Sequence, residues 1–329
     1  MSKKVLVTGA SGFTGGHLCR RLVREGFSVR ALLRDSSLEQ ATRDQGVEPI
    51  VGDVRDSGSL ERALHNVDIV YHLAAAFRAG GASARELHAT NVIGTRNLVE
   101  KAILANVDRF VHCSSVGVHG NIEDPPADEA APMSPDDAYQ TSKVEGEIVA
   151  RETAAKAGLP LVIFRPAGIY GPGDTRFLKL VKALQRPVFP MIGNGRVLYQ
   201  MIYISDLIDG ILACGTRNEA VGNTYILTGH DAVTLNELVG IVADALSERP
   251  FTIHVPIAPV YLLSAIVEYA CAPLGIEPPL FRRRLDFFRK TRSFDIGKAR
   301  RELAFAPCTT LEAGFRKTVE WYRQEGLIW

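Results

Sequence analysis

The first part of the chain constrains the fold more than any other segment. Lys4–Thr8 is a short apolar run of the kind that forms a buried strand, and it ends abruptly at Gly9. Residues 17–25 then carry apolar side chains at helical spacing and are followed by Gly26, a common residue after a helix. A strand, a glycine-rich turn and a helix in this order predict the first unit of a parallel α/β sheet.

The glycines of this turn have the spacing of a dinucleotide-binding loop. Gly9 permits a tight turn, Gly12 lets the backbone approach a diphosphate, and Gly15 lets the helix pack closely on the strand. The phosphates would lie at the helix N-terminus, where backbone N–H groups lack partners. A glycine turn without a ligand is the alternative, but the flanking strand and helix favour a bound dinucleotide.

The second strand indicates which dinucleotide is preferred. Ser28–Leu33 is followed by Arg34, where an NAD enzyme usually has Asp or Glu to bind the ribose hydroxyls. A guanidinium suits a 2′-phosphate, and no carboxylate stands at that position to repel it. We therefore expect NADP to be preferred over NAD, and a solvated loop arginine is the alternative.

Tyr139 and Lys143 predict proton-transfer chemistry. They are four residues apart, so on a helix they share a face, and the ammonium would favour the ionised phenol. A phenol tuned in this way exchanges protons near neutral pH. The spacing alone is common on exposed helices, and the glycine loop is what makes a hydride-transfer site the favoured interpretation.

Several further motifs follow in order along the chain. They are Gly52-Asp53-Val54-Arg55-Asp56, His72-Leu73-Ala74-Ala75, Asn91-Val92-x-Gly94-Thr95, Ser114-Ser115-Val116-Gly117-Val118-His119-Gly120, Arg165-Pro166-x-x-Ile169-Tyr170-Gly171-Pro172-Gly173 and Tyr203-Ile204-Ser205-Asp206-Leu207. With the glycine loop, this series resembles the extended short-chain dehydrogenase/reductase family over essentially the whole length. The resemblance implies an NAD(P)-dependent enzyme with a Rossmann-type doubly wound parallel sheet and a smaller, mostly C-terminal α/β substrate domain.

The resemblance also implies roles for individual residues. Tyr139 would exchange a proton with the substrate oxygen, Lys143 would favour the phenolate and hold the ribose, and Ser115 would hydrogen-bond the reacting oxygen. Gly117 stands where many sugar-modifying relatives carry a hydroxyl residue, so no second oxygen donor is predicted there. The residues expected to contact the cofactor are Gly9, Ser11, Gly12, Phe13, Thr14, Gly15, Arg34, Asp53, Val54, Leu73, Ala74, Ala75, Asn91, Tyr139, Lys143 and Pro166.

The alternation of strand-like and helical segments in the first half predicts the parallel sheet, and the pattern becomes irregular from Gly171 onward. We expect residues 1–170 to form the cofactor domain, with about 196–228 threaded back into it. Residues 171–195 and 229–329 would form the substrate domain.

Two features bear on the substrate. Sugar-nucleotide enzymes of the family commonly have an Arg-Asp pair where this chain has Tyr199 and Gln200, and an aromatic ring cannot neutralise a diphosphate, although Arg196 could substitute. Residues 255–274 are apolar almost throughout and precede a basic run, an order that resembles the 3β-hydroxysteroid dehydrogenase and dihydroflavonol reductase-like branch. We expect a secondary alcohol or ketone of an apolar, sterol-like or flavonoid-like ring; the alternatives are a nucleotide-sugar epimerase or dehydratase and a non-catalytic redox sensor.

The apolar segment could serve more than one purpose. Prolines leave too short a helix for a membrane span, which needs about 20 apolar residues. Burial in the substrate domain is the favoured interpretation. A lid over a lipid-like substrate, with peripheral membrane contact through residues 255–292, is the other.

Composition excludes several classes of protein. The net charge is +1, so nothing indicates nucleic acid as a partner. The five cysteines are scattered without metal-ligand spacing, so no metal site is predicted. The chain runs directly into its first strand without a signal peptide, which favours a cytoplasmic enzyme. Apolar positions at Leu98, Val99, Ala102, Ile103, Ile148 and Val149 would suit a homodimer or packing within the chain.

Overall fold

The computed structural model describes residues 2–77, 82–271 and 282–329. The strands are β1 (Lys4–Thr8), β2 (Ser28–Leu33), β3 (Glu48–Val51), β4 (Ile69–His72), β5 (Arg109–Cys113), β6 (Leu161–Pro166), β7 (Gly168–Tyr170), β8 (Val188–Ile192), β9 (Leu198–Tyr203), β10 (Thr224–Leu227), β11 (Ala232–Thr234) and β12 (Phe251–Val255). The helices are α1 (Phe13–Arg24), α2 (Glu39–Arg43), α3 (Ser57–Leu64), α4 (Ala84–His88), α5 (Gly94–Leu104), α6 (Ala138–Ala157), α7 (Leu178–Leu184), α8 (Ile204–Thr216), α9 (Leu235–Leu246), α10 (Ile257–Cys271), α11 (Arg282–Leu285), α12 (Gly297–Leu303) and α13 (Leu311–Gln324).

Seven parallel strands form the central sheet, in the order β10-β6-β5-β4-β1-β2-β3. The chain moves outward in one direction from β1 to β3 and then crosses to β4 on the other side of β1. Ligands of doubly wound sheets bind at the carboxyl ends of the strands beside such a switch point. The predicted doubly wound parallel sheet is therefore confirmed.

Alternation along β1 shows why the sheet is covered on both faces. Val5 and Val7 belong to one apolar cluster and Leu6 to the other, and all three side chains are fully buried. Since neighbouring side chains of a strand point to opposite faces, each face needs its own layer of helices. Leu18 of α1 packs in the first cluster and Leu98 of α5 in the second.

The faces expected to suit a homodimer are mostly used within the chain. Leu98, Val99 and Ala102 of α5 are fully buried in the core, whereas Ile148 of α6 is exposed. Leu104, at the end of α5, is also exposed. Packing against the sheet therefore accounts for most of the apolar pattern on α5.

Two smaller sheets are formed by strands from the second half of the chain. The strands β11, β9 and β7 form a three-stranded sheet, and β12 pairs with β8. Residues 286–295 lie against the loop before α6, because Ile122 N–H donates to the Thr291 carbonyl at 3.1 Å and Ala127 N–H to the Ser293 carbonyl at 3.0 Å. This C-terminal segment thus borders the carboxyl edge of the central sheet.

The expected burial of the apolar segment is wrong for helix α10. Ser264 is its one buried residue, while Leu262, Leu263, Ile266 and Tyr269 are all more than half exposed. The apolar side chains surround the helix, so packing one side of it on the fold leaves the other side in solvent. Residues 272–281, with Pro273 and the start of the basic motif, and the side chains of residues 283 and 284 lie outside the described part of the chain. Within the described ranges, no helix combines the length and apolar character needed to cross a bilayer.

Candidate active site

The glycine loop has the shape of a phosphate cradle. Gly9 has a φ of +72°, and a Cβ atom on it would lie 2.8 Å from the Ala74 nitrogen. A Cβ atom on Gly15 would lie 2.1 Å from the Gly9 carbonyl oxygen. The backbone therefore needs glycine at both positions to bring the start of α1 against the turn. Helix α1 begins at Phe13 and has no acidic residue in its first turn, so its N-terminus suits a diphosphate.

The predicted strand-end contacts lie beside this loop. Leu73, Ala74 and Ala75 directly follow β4, and the Ala74 N–H donates to the Thr8 hydroxyl at 3.1 Å. The segment continues to Ala76, whose N–H and carbonyl bond to the Asn91 side chain at 2.8 and 3.0 Å.

The Asn91 side chain is bonded within the protein and connects two segments beside the cleft. It lies in the π-helical turn Ala89–Ile93, a conformation frequent at functional sites. Its amide donates to the Ser142 hydroxyl at 2.9 Å, in addition to bonding Ala76. Asn91 therefore ties the segment after β4 to helix α6. This positioning role was not evident from the sequence, because its partners are far away along the chain.

Charged residues surround the predicted adenosine end of the site. Arg34 is exposed directly after β2, and the Asp35 carboxylate turns away to accept a bond from Ser37 N–H at 2.9 Å. Burial opposes ionisation of Asp53, but the neighbouring Arg55 and Arg34 outweigh it and lower the pKa of that carboxyl. The Arg34 charge thus acts on Asp53, and Arg55 pairs with Asp53 at 2.6 Å.

The remaining predicted cofactor contacts lie at the same edge of the sheet. Ser11 and Gly12 are exposed in the loop, and Thr14 is half-buried in the first turn of α1. Val54 is buried under α5, and Pro166 ends β6.

The structure brings Ser115, Tyr139 and Lys143 together where β5 meets α6. Ser115 lies just beyond the end of β5, Tyr139 is in the first turn of α6, and the Ser115 hydroxyl lies near enough to the phenol to lower its pKa. The Lys143 Nζ donates to the Cys113 carbonyl at 2.5 Å. Gly117 lies beside this group, since its N–H donates to Ser115 Oγ at 3.0 Å.

The expected lowering of the Tyr139 pKa by Lys143 is not seen. Burial, with a smaller contribution from Cys113, raises the pKa of Tyr139 to about 12, and the neighbouring Ser115 hydroxyl offsets only part of this. The Lys143 ammonium is instead directed to the end of β5. The phenol is therefore protonated at neutral pH, which makes it a proton donor.

Lys143 is itself buried, with neutral and acidic groups around it. Burial lowers the pKa of its ammonium, and Cys113 and Glu147 oppose that shift. Burial and the Lys143 charge lower the pKa of His72 to about 3, and the pKa of His112 lies well below its usual value for the same reasons. Both imidazoles are therefore neutral at pH 7.

A buried ion pair that the sequence did not indicate lies behind Lys143. Glu147 and Arg165 are fully buried, and two bonds of 2.6 and 3.1 Å join them. Arg165 also donates to His119 Nε2 at 3.1 Å and to the Glu129 carbonyl at 3.0 Å. His119, whose Nδ1 bonds to the Pro132 carbonyl at 3.1 Å, therefore links this pair to the loop before α6. Within the described ranges, no cluster of three or more His, Cys, Asp or Glu side chains could hold a metal ion.

On the substrate side, Tyr199 and Gln200 bond to the C-terminal segment. The Tyr199 hydroxyl donates to the Phe287 carbonyl at 2.7 Å, and the Arg292 guanidinium lies 5.3 Å from the centre of its ring. Gln200 accepts a bond from Phe294 N–H at 2.7 Å. Both side chains are buried and join β9 to the C-terminal segment, whereas Arg196 is exposed.

Comparison with known proteins identifies the family. The family model described as "NAD dependent epimerase/dehydratase family" matches residues 5–227. The chain belongs to this family. It is an enzyme of the extended short-chain dehydrogenase/reductase type and uses NAD or NADP, as its glycine loop predicts.

Its relatives act on different classes of compound. The chain is 29% identical to a 3beta-hydroxysteroid-dehydrogenase/decarboxylase, isoform 2, of Arabidopsis thaliana over 96% of its length, which spans 61% of that longer protein. It is 30% identical to sterol demethylase protein B of Methylococcus capsulatus, over 98% of this chain and 99% of the relative. A solved double mutant of dTDP-glucose 4,6-dehydratase from Streptomyces venezuelae, with NAD bound, is 28% identical and superposes with a TM-score of 0.77, covering 98% of this chain and 99% of that one.

Proposed function

We propose that this enzyme interconverts a secondary alcohol and a ketone on an apolar cyclic compound, with a sterol-like ring as the preferred class. The observation that carries the proposal is the grouping of Ser115, Tyr139 and Lys143 where β5 meets α6, at the same sheet edge as the glycine loop. Polar groups that hold a carbonyl oxygen next to a dinucleotide site suit oxidoreduction.

In the reduction direction, the chain supplies a proton and holds the reacting oxygen. A nicotinamide cofactor, when bound at the glycine loop, would supply the hydride. Tyr139, protonated at neutral pH, donates its hydroxyl proton to the substrate oxygen, and Ser115 hydrogen-bonds the charge that develops there. Lys143, whose ammonium bonds to the Cys113 carbonyl rather than to the phenol, would hold the cofactor ribose beside these two residues.

NADP is the cofactor we propose. Arg34 provides an exposed guanidinium directly after β2, and Asp35, the nearest carboxylate in sequence, is engaged in its own turn. Arg34 thus offers a charged hydrogen bond to a 2′-phosphate.

The preference for an apolar substrate has two supports. Tyr199 and Gln200 stand where an Arg-Asp pair would be expected in a sugar-nucleotide enzyme, and both bond within the protein. Two relatives are named for steroid or sterol chemistry. The similarity to a dTDP-glucose 4,6-dehydratase supports the second candidate, a nucleotide-sugar enzyme that regenerates its cofactor in each cycle.

The exposed apolar face of α10 supports peripheral contact with a lipid surface, from which such a substrate could enter. Several cations near it are already paired within the protein: Arg282 with Glu268 at 2.8 Å, and Lys290 with Asp286 at 2.8 Å. The apolar face rather than the basic run therefore carries this part of the proposal. Homodimerisation, a cytoplasmic location and the division into a cofactor domain and a substrate domain remain predictions.

Net consumption of cofactor separates the two candidate functions. Purified protein is incubated with NADPH or NADP and a panel of sterols, flavonoids and nucleotide sugars, and the absorbance of the reduced nicotinamide is followed. We expect a net change with an apolar alcohol or ketone. Conversion of a nucleotide sugar without net change would overturn the proposal in favour of the second candidate.

A further inference from the structure

The loop between β7 and α7 packs on the start of α1. His17 Nε2 donates to the Pro172 carbonyl at 3.0 Å. A Cβ atom on Gly173 would lie 3.3 Å from the Phe13 ring and 3.6 Å from His17 Nε2. This loop therefore covers the first turn of the helix whose N-terminus suits a diphosphate.

Arg176, at the end of this loop, is held in a fixed orientation. Its Nε donates to Asp174 at 2.7 Å and its Nη2 to the Ile169 carbonyl at 2.8 Å. Asp174 is buried, and its carbonyl accepts a bond from the Tyr322 hydroxyl at 2.7 Å. The guanidinium is thus anchored through C-terminal residues as well as by its own loop.

The anchored guanidinium lies near the start of α1. Its Cζ lies 5.8 Å from the centre of the ring of Phe13, the first residue of α1. Its charge also acts on the Tyr139 phenol and lowers the pKa of that group slightly. The Arg176 side chain is nevertheless 49% exposed. Its bonds to other described residues use Nε and Nη2, so Nη1 is open to a ligand.

We propose that Arg176 binds the diphosphate of the cofactor, opposite the N-terminus of α1. The inference rests on the proposed use of a nicotinamide dinucleotide at this site. A diphosphate carries more negative charge than the half-charge of one helix N-terminus compensates, and guanidinium groups form the stronger, charge-assisted bonds to phosphate oxygens. Arg176 thereby couples cofactor binding to a loop outside the glycine-rich unit.

The test compares cofactor binding by Arg176→Met, Arg176→Lys and wild type, measured by titration calorimetry with NADPH and with adenosine 2′-monophosphate, which lacks the diphosphate. Arg24→Met, at the opposite end of α1, removes the same charge as a control. We expect Arg176→Met to weaken NADPH binding by about tenfold or more, Arg176→Lys to recover part of it, and Arg24→Met to have no effect. Binding of adenosine 2′-monophosphate should not change.

Two outcomes would overturn this inference. Equal NADPH affinity of Arg176→Met and wild type would do so while leaving the proposed function intact. If wild type itself bound neither NADPH nor NADH, the proposed function would fall together with the inference.

Discussion

Glu147 lies one helical turn after Lys143 on α6 and forms a fully buried ion pair with Arg165 of β6. Burial alone would raise the pKa of the Glu147 carboxyl, but its bonds to Arg165 and Arg151 outweigh that and lower it. Glu147 therefore stays ionised and provides negative charge near the buried ammonium of Lys143. The proposed catalytic lysine thus depends on a pair of residues that do not touch the reacting atoms.

Removing one charge of this pair should strongly destabilise the fold. Glu147→Gln leaves the Arg165 guanidinium buried without its counter-charge, so we expect a loss of about 3–5 kcal/mol in the free energy of unfolding. Urea denaturation measures it. Glu152→Gln, an exposed position on the same helix, is the control and should change stability little. Equal midpoints for the two variants would contradict this assignment.

The free energy of unfolding should decrease as the pH is lowered below about 6.5, because of the buried histidines. His112 has a usual pKa of 6.5 that burial lowers strongly in the folded state, so below pH 6.5 the unfolded chain binds the proton and folding is penalised. Each histidine that is protonated only in the unfolded chain changes the free energy of unfolding by about 1.4 kcal/mol per pH unit. We expect His112→Leu to reduce the slope of unfolding free energy between pH 6 and 5 by about this amount. A slope identical to that of wild type would show that His112 is not neutral in the fold.

The choice of cofactor should depend on Arg34. Arg34→Ser removes the proposed partner of the 2′-phosphate, so we expect NADPH affinity to fall by about tenfold while NADH affinity is unchanged. Fluorescence titration of both cofactors measures the ratio. Arg43→Ser, an exposed position on α2, serves as the control. Tighter binding of NADH than NADPH by wild type would reverse the assignment.

The sequence predicted the features whose residues lie close together along the chain. The β1 strand, the glycine turn and α1 lie next to each other along the chain, and so do Tyr139 and Lys143 on one helix. The ion pair of Glu147 and Arg165 joins separate elements, and the sequence gives no local sign of such a partner.

Two sequence-based expectations failed for physical reasons. The pKa of Tyr139 was expected to fall because of Lys143, but it rises because burial dominates and the ammonium bonds to the end of β5. Helix α10 was expected to be buried, yet most of its apolar side chains face solvent. Composition reports how apolar a helix is and not what packs against it.

The proton-donor role of Tyr139 is the central claim, and a comparison of wild type with Tyr139→Phe tests it most directly. Calorimetry measures the affinity for NADPH, and the oxidation of NADPH with an apolar ketone measures turnover. We expect the variant to bind NADPH with nearly unchanged affinity and to lose turnover by about 10²-fold or more, because the ring remains and the transferable proton is gone. Turnover by Tyr139→Phe equal to that of wild type would contradict the account.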